Sequence, residues 1–278
     1  MVQNGILIYQ KGSCYQEFVK IGDKLKFDLN KYIIQDIEDR EQPSDFTTTK
    51  NYDILILRLP YIKDESVDVI SDAFLIQNRE IFKYNRKSKD FETFSFEELH
   101  KFIDFRIDKI LTKLSKLHID IAKMEDNLYD GDDTNMNNWL ILKKEIGIIE
   151  RVMSHTELAF ERFIRKYKDD IDEFAFNDLK EHISRVIRFS SSANEKLDYL
   201  HSFYRGEVDK KMNNVMFILT ILSAVFMPLS LVTGFFGMNT GGLPLVDDPN
   251  GTTKTVILTI LFEIPFIYWI KNLIKVKS

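Results

Sequence analysis

Residues 215–236 read VMFILTILSAVFMPLSLVTGFF, a run without one ionisable side chain. As a helix rising about 1.5 Å per residue it is roughly 33 Å long, the thickness of a bilayer's hydrocarbon core. The run predicts a membrane-spanning helix. A second apolar stretch, 255–270, is interrupted by Glu263 and Pro265. Drawn back to Thr252, with Lys254 reaching toward the headgroups, it extends to about 19 residues and predicts a second span. A buried hairpin of a soluble protein is the alternative, and the flanks argue against it. Lys210 and Lys211 precede the first span, Lys271, Lys275 and Lys277 follow the second, and Asp247 and Asp248 lie between them. That charge asymmetry predicts both termini in the cytoplasm.

The rest of the chain differs in kind. Of the 38 basic and 43 acidic residues, 215–278 hold only four lysines and three acids. An acidic, soluble front is thus joined to a nearly uncharged tail. An apolar fraction of 44% excludes disorder, the lack of a basic excess excludes a nucleic-acid partner, and Cys14 stands alone, which excludes an intramolecular disulfide. No Gly-rich phosphate loop or His/Cys cluster is present, so no enzyme is predicted; the five histidines are scattered singly.

Within the front, GILIY (5–9), YDILILRL (52–59), AFLIQ (73–77), IFKY (81–84) and FETFSF (91–96) predict strands, with Asn78-Arg79 as a hairpin turn. From Ile103 the period changes. Ile103, Ile107, Ile110, Leu114, Leu117, Ile121, Met124 and Leu128 alternate spacings of four and three. Leu142, Ile146, Ile149, Met153, Thr156, Phe160, Phe163 and Tyr167 repeat the rhythm, as do Leu179, Ile183, Val186, Ser190, Ala193, Leu197, Leu200 and Tyr204. Three heptad-patterned helices follow, the first two antiparallel across the polar turn 129–138, the third continuing without a breaker into the first span. The fold class is an α+β cytosolic domain, then long coiled-coil-like helices, then two C-terminal transmembrane helices. Its expected divisions are 1–97 (α/β domain), 98–211 (helical stalk), 212–237 (first span), 238–252 (external loop), 253–271 (second span) and 272–278 (basic tail).

On the first span, Asn213, Met216, Thr220, Ser223, Met227, Ser230 and Gly234 fall within an arc of about 100° when each residue turns about 100°. Such a stripe of small, hydroxyl and thioether side chains serves either helix packing or a water-lined path. Pro228 removes the backbone bond to Ala224 and suits both.

Directly after this helix stands Phe235-Phe236-Gly237-Met238-Asn239. Here the chain resembles the CorA family of divalent-cation channels, whose signature is an aromatic followed by Gly-Met-Asn at the outer end of the first of two C-terminal membrane helices. Tyr204-Arg205, Asn213, Val215-Met216, Leu219-Thr220 and Met227-Pro228-Leu229 stand in the order and spacing of that family's pore helix. The resemblance runs from about residue 178 to the end and extends over the whole chain.

It implies a homopentamer in the lipid of the inner membrane, the first span of each subunit lining an axial pore and favouring the water-lined path. The Asn239 amides would form an outer ring, presented by a turn at Gly237 and Met238. Neutral amide oxygens can hydrogen-bond the water shell of a divalent ion without stripping it, which suits an ion that dehydrates reluctantly. Met216, Leu219 and Met227 would be narrow apolar rings, with oxygens from Thr220, Ser223 and Ser230 between them. Asp247 and Asp248 would concentrate cations at the mouth.

The transported ion and regulatory ligand implied is magnesium, with cobalt or nickel beside it. The loop Thr240-Gly241-Gly242-Leu243-Pro244 lies closer to the family's zinc-transporting branch, so zinc is the alternative. In the cytosol the resemblance implies a divalent site between subunits at Asp178 and Glu181, which spacing i, i+3 puts on one helix face, with Asp64 as partner from a neighbour. The acidic turn with Glu125, Asp126, Asp130, Asp132 and Asp133 would face the basic tails. A scaffold merely anchored by two helices is the alternative of another class, and it needs neither Gly-Met-Asn nor an unbroken pore helix.

Overall fold

A computed structural model describes residues 15–19, 26–130, 136–238, 240–245 and 247–277. Two compact units divide the chain, Met1–His201 and Ser202–Ser278. The predicted strand at 5–9 lies outside the described residues.

In the first unit β1 (Tyr15–Val19) and β2 (Lys26–Asn30) pair antiparallel, and α1 (Lys31–Glu38) follows. Asn30 starts that helix by accepting the Tyr32 N–H at 3.0 Å, the work of an N-cap. Then β3 (Asp45–Thr48), β4 (Asp53–Lys63), β5 (Ser66–Gln77), β6 (Glu80–Asn85) and β7 (Asp90–Phe94) form an antiparallel meander in sequence order. Asn78 and Arg79 form the expected two-residue turn, with φ of 50° and 67°, and Asp64-Glu65 make another at 47° and 65°. Both turns lie in the left-handed region that hairpin loops of this length require.

The continuous apolar run in β4 has a physical reason. Leu55, Leu57 and Leu59 point to one core with the long helices, whereas Ile54 and Ile56 join Phe27, Leu29, Ile34 and Ile37 in a second core. With both faces covered, alternation disappears and every residue from 54 to 57 is apolar.

The last expected strand is corrected at its end: it stops at Phe94. Ser95 and Glu98 then cap a helix reciprocally, Glu98 N–H to Ser95 Oγ at 3.1 Å and Ser95 N–H to Glu98 Oε2 at 2.7 Å. The helices are α2 (Phe96–Asp130), α3 (Met136–Tyr167), α4 (Glu173–Phe236) and, in the second unit, α5 (Gly251–Lys277). Both ends of the expected polar turn 129–138 are helical, α2 running to Asp130 and α3 starting at Met136, and 131–135 lie outside the described residues.

Their directions follow from side-chain pairs. Asp104 meets His182, Glu125 meets Lys196 and Tyr129 meets Tyr199, so α2 and α4 run parallel. Trp139 Nε1 donates to the Leu197 carbonyl, Lys143 pairs with Asp198 and Lys180 with Glu161, so α3 opposes α4. Hence α2 and α3 are antiparallel, as their linking turn requires. The three heptad rows are buried almost throughout, Tyr204 alone of the third emerging half-exposed.

Candidate functional site

By length and composition α4 contains, at its C-terminal end, a segment able to cross a membrane, and none of that segment is buried within the protomer. The second expected span falls in α5. On α4 the residues Ile221, Ala224, Val225, Pro228, Leu229, Val232 and Phe236 are half-covered. Turning about 100° per residue, they occupy the side opposite the stripe predicted from Asn213 to Gly234. The stripe itself is exposed, Met216 59% and Met227 70% accessible with Asn213, Thr220, Ser223, Ser230 and Gly234 open beside them, and Leu219 at its edge is 62% accessible. The Thr220 hydroxyl donates back to the Met216 carbonyl at 2.8 Å, so the oxygen it presents along the stripe is an acceptor.

A cleft of about 440 Å³ adjoins the covered side, lined by Leu229, Val232, Thr233 and Phe236 of α4 and by Thr255, Thr259 and Ile260 of α5 among others. The protomer therefore uses one side of α4 internally and leaves the polar side free.

The helix ends at Gly237, whose N–H reaches the Thr233 carbonyl at 2.9 Å. A Cβ at 237 would lie 2.9 Å from that same oxygen, so any larger residue has to displace the helix end. Met238 follows, 45% accessible. Asn239 lies outside the described residues.

In the connecting segment Leu245 and Gly242 both have left-handed φ, 70° and 84°. A Cβ on Gly251 would lie 1.8 Å from the Leu245 carbonyl oxygen, which restricts that position to glycine. Asp247 is exposed, whereas Asp248 accepts the Asn250 N–H at 2.8 Å and an ion pair from Lys254. These contacts, the Lys254 ammonium foremost, hold the Asp248 carboxyl below the usual carboxylate range. Lys254, expected to reach toward headgroups, extends toward the connecting segment and pairs there with Asp248. Of these two acids, Asp248 is the one with an ion pair among the described residues.

In the first unit, Asp172 caps α4 by accepting the Ala175 N–H. Asp178 and Glu181 follow on exposed turns, with His182 beside them. The His182 ring lies 3.8 Å from an Asp178 oxygen and 4.0 Å from Asp104 of α2, an acid missed by sequence reasoning because it is remote in the chain. Asp64 is elsewhere. Its hairpin is tied to α2 by Lys113, which donates to the Glu65 carbonyl and pairs with Glu145. Asp178 is close to the level of His100, which packs on Phe176. From His100 to Lys113 the helix advances roughly 20 Å. One protomer thus keeps Asp64 and Asp178 apart, and among the described residues no three His, Cys, Asp or Glu gather into a metal-holding group.

Comparison with known proteins agrees with this architecture. The sequence model for the CorA-like Mg2+ transporter protein matches residues 20–272. Zinc transport protein ZntB of Yersinia enterocolitica is 22% identical over 177 residues, 63% of this chain and 54% of that one. Cobalt/magnesium transport protein CorA of Methanocaldococcus jannaschii is 28% identical over 166 residues, 56% of this chain and 50% of that one. The chain thus spans about half the length of these curated relatives. The complete structure of the Methanocaldococcus jannaschii CorA magnesium transporter superposes with a TM-score of 0.66 at 20% identity, covering 86% of this chain and 82% of that chain, which shows a shared fold.

Proposed function

The chain belongs to the CorA-like Mg2+ transporter family, and on that premise we propose that it is a homopentameric channel moving divalent cations, magnesium first, across the inner membrane. The uncovered stripe of α4 supports this most directly. Copies arranged about an axis would cover those side chains with one another and line a path with hydroxyl acceptors and flexible thioethers. α5, as the second span, would face lipid, with both termini in the cytoplasm.

Asn239, next in sequence after the tight helix end at Gly237 and Met238, receives the hydrated ion. Its neutral amide can bind the ion's water shell while leaving the ion hydrated. Asp178, with Glu181, is a cytosolic ligand. Since one protomer holds Asp64 roughly 20 Å away along the bundle, any joint site needs a second subunit to supply its other half.

Zinc is the second reading, favoured by the Gly241-Gly242-Leu243-Pro244 loop and by the zinc-transporting relative. Flux of magnesium, cobalt, nickel and zinc into proteoliposomes, with and without a pH gradient, separates the two. Magnesium entry independent of the gradient supports the first, and zinc entry that needs it supports the second. No flux of any of these ions would overturn both.

A further inference from the structure

Between the sheet and α3 lies a cavity of about 210 Å³ lined by Pro43, Ser44, Arg58, Arg151, Val152 and His155. Its lining contains two guanidinium groups and an imidazole but no acid. Elsewhere in this chain of net charge −5, Arg162 pairs with Asp45, Lys166 with Asp53 and Lys113 with Glu145. Among the described residues no carboxylate pairs with Arg58 or Arg151. Arg58 Nε is buried, yet among the described residues it meets no hydrogen-bond acceptor. A buried N–H of a charged group is seldom left unanswered in a native protein, and here the neighbouring space is open to an acceptor.

The backbone beneath this side chain is held with unusual care. The Arg58 N–H donates to Ser44 Oγ at 2.7 Å, its carbonyl accepts from Thr156 Oγ1 at 2.8 Å, and the two hydroxyls lie 2.8 Å apart. Strand β4, the segment before β3 and helix α3 are thereby locked at one point. Arg151 and His155 stand one helical turn apart on α3, so both project from the same face. Arg58 is clamped by Thr156, the residue beside His155. Three nitrogen-bearing side chains from two rigid elements converge on one space.

We infer that this cavity binds an oxyanion of the phosphate type, with Arg58 and Arg151 as its charged donors and His155 completing the set. Guanidinium groups offer planar pairs of N–H donors that match tetrahedral oxyanions, and a partly buried setting strengthens the contact. At about 30 Å³ per water the space holds roughly seven, more than a single phosphate fills, so the phosphoryl end of an ester fits as well as the free ion. The site lies wholly within the first unit.

Calorimetric titration of the full chain in detergent, at constant ionic strength, tests it with two probes: inorganic phosphate and adenosine monophosphate. The wild type is expected to bind phosphate saturably, one per chain. Arg58→Gln and Arg151→Gln should each weaken binding by about tenfold or more. Arg151 is exposed, so that variant keeps the test valid if the Arg58 change disturbs folding. Monophosphate binding tighter than phosphate identifies an organic ester as the occupant, and weaker binding identifies the free ion. Absence of saturable binding of either probe by the wild type, or equal affinity in wild type and both variants, overturns the assignment.

Discussion

The Tyr167 hydroxyl donates to Asp53 Oδ2 at 2.5 Å, and Lys166 Nζ lies 2.6 Å from the same oxygen. Asp53 is only 5% exposed. The last turn of α3 is thereby fastened to the first residue of β4 by a carboxylate that would otherwise be buried alone.

Tyr167→Phe keeps the ring packing and removes the donor, and should destabilise the folded chain by about 1–2 kcal/mol at neutral pH. Burial and Asp53 hold the phenol above its ordinary value, so the folded state retains a proton that the unfolded chain releases near pH 10. This contribution is fully present below about pH 10 and is lost as the pH rises beyond it. Thermal unfolding of both proteins should show a gap that narrows in alkali; identical midpoints at pH 7 would show that the bond contributes nothing.

Asn239→Ala should abolish cation flux into proteoliposomes while the oligomer still elutes at its wild-type size. The change removes an acceptor at the expected ion entrance and no buried core group. Wild-type flux in that variant removes Asn239 from the ion path.

Glu263 on α5 is 8% exposed, and among the described residues its Oε1 has no hydrogen-bond partner. On insertion scales an acid at mid-span costs about 2.5–3.5 kcal/mol. Glu263→Leu should therefore raise the unfolding midpoint of the isolated oligomer. A lowered midpoint would mean instead that a neighbouring subunit supplies a partner for the carboxyl.

If Asp178 binds a cytosolic divalent ion at a subunit contact, that ion favours the arrangement in which the contact is made, through its different affinity for the two states. Asp178→Ala should weaken magnesium protection of the first unit against protease and raise the internal magnesium needed to stop flux. Overlapping curves for the two proteins leave Asp178 a surface acid that merely neighbours His182.

The helical rows were legible because a heptad period is a local property. Each of Ile103 to Met124 and Leu142 to Phe163 is buried, as spacing alone predicts. What periodicity missed on α3 is its second buried face, Val152, Ala159 and Ile164. A helix packed against a sheet on one side and helices on another buries more than one stripe, and only the partners reveal the second. Helix α1 was missed for a different reason: eight residues provide two buried positions, Ile34 and Ile37, too few to establish a period. The stripe from Asn213 to Gly234 was legible as a stripe, but its two uses were not separable by sequence. The half-covered residues on the other side of α4 favour a partner beyond the protomer.

By itself the sequence determined the apolar length, the heptad rhythm, the hairpin at Asn78-Arg79 and the Gly-Met-Asn signature, since each depends on residues close together in the chain. Only the tertiary structure decided that Asp64 and Asp178 are held apart, that Lys254 neutralises Asp248, and that Ser44, Arg58 and Thr156 meet. Ser44 and Thr156 are separated by 112 positions. Such contacts arise when two covered sheet faces and three helices settle into one packing, and no local pattern of residues encodes which distant side chains that packing brings into reach.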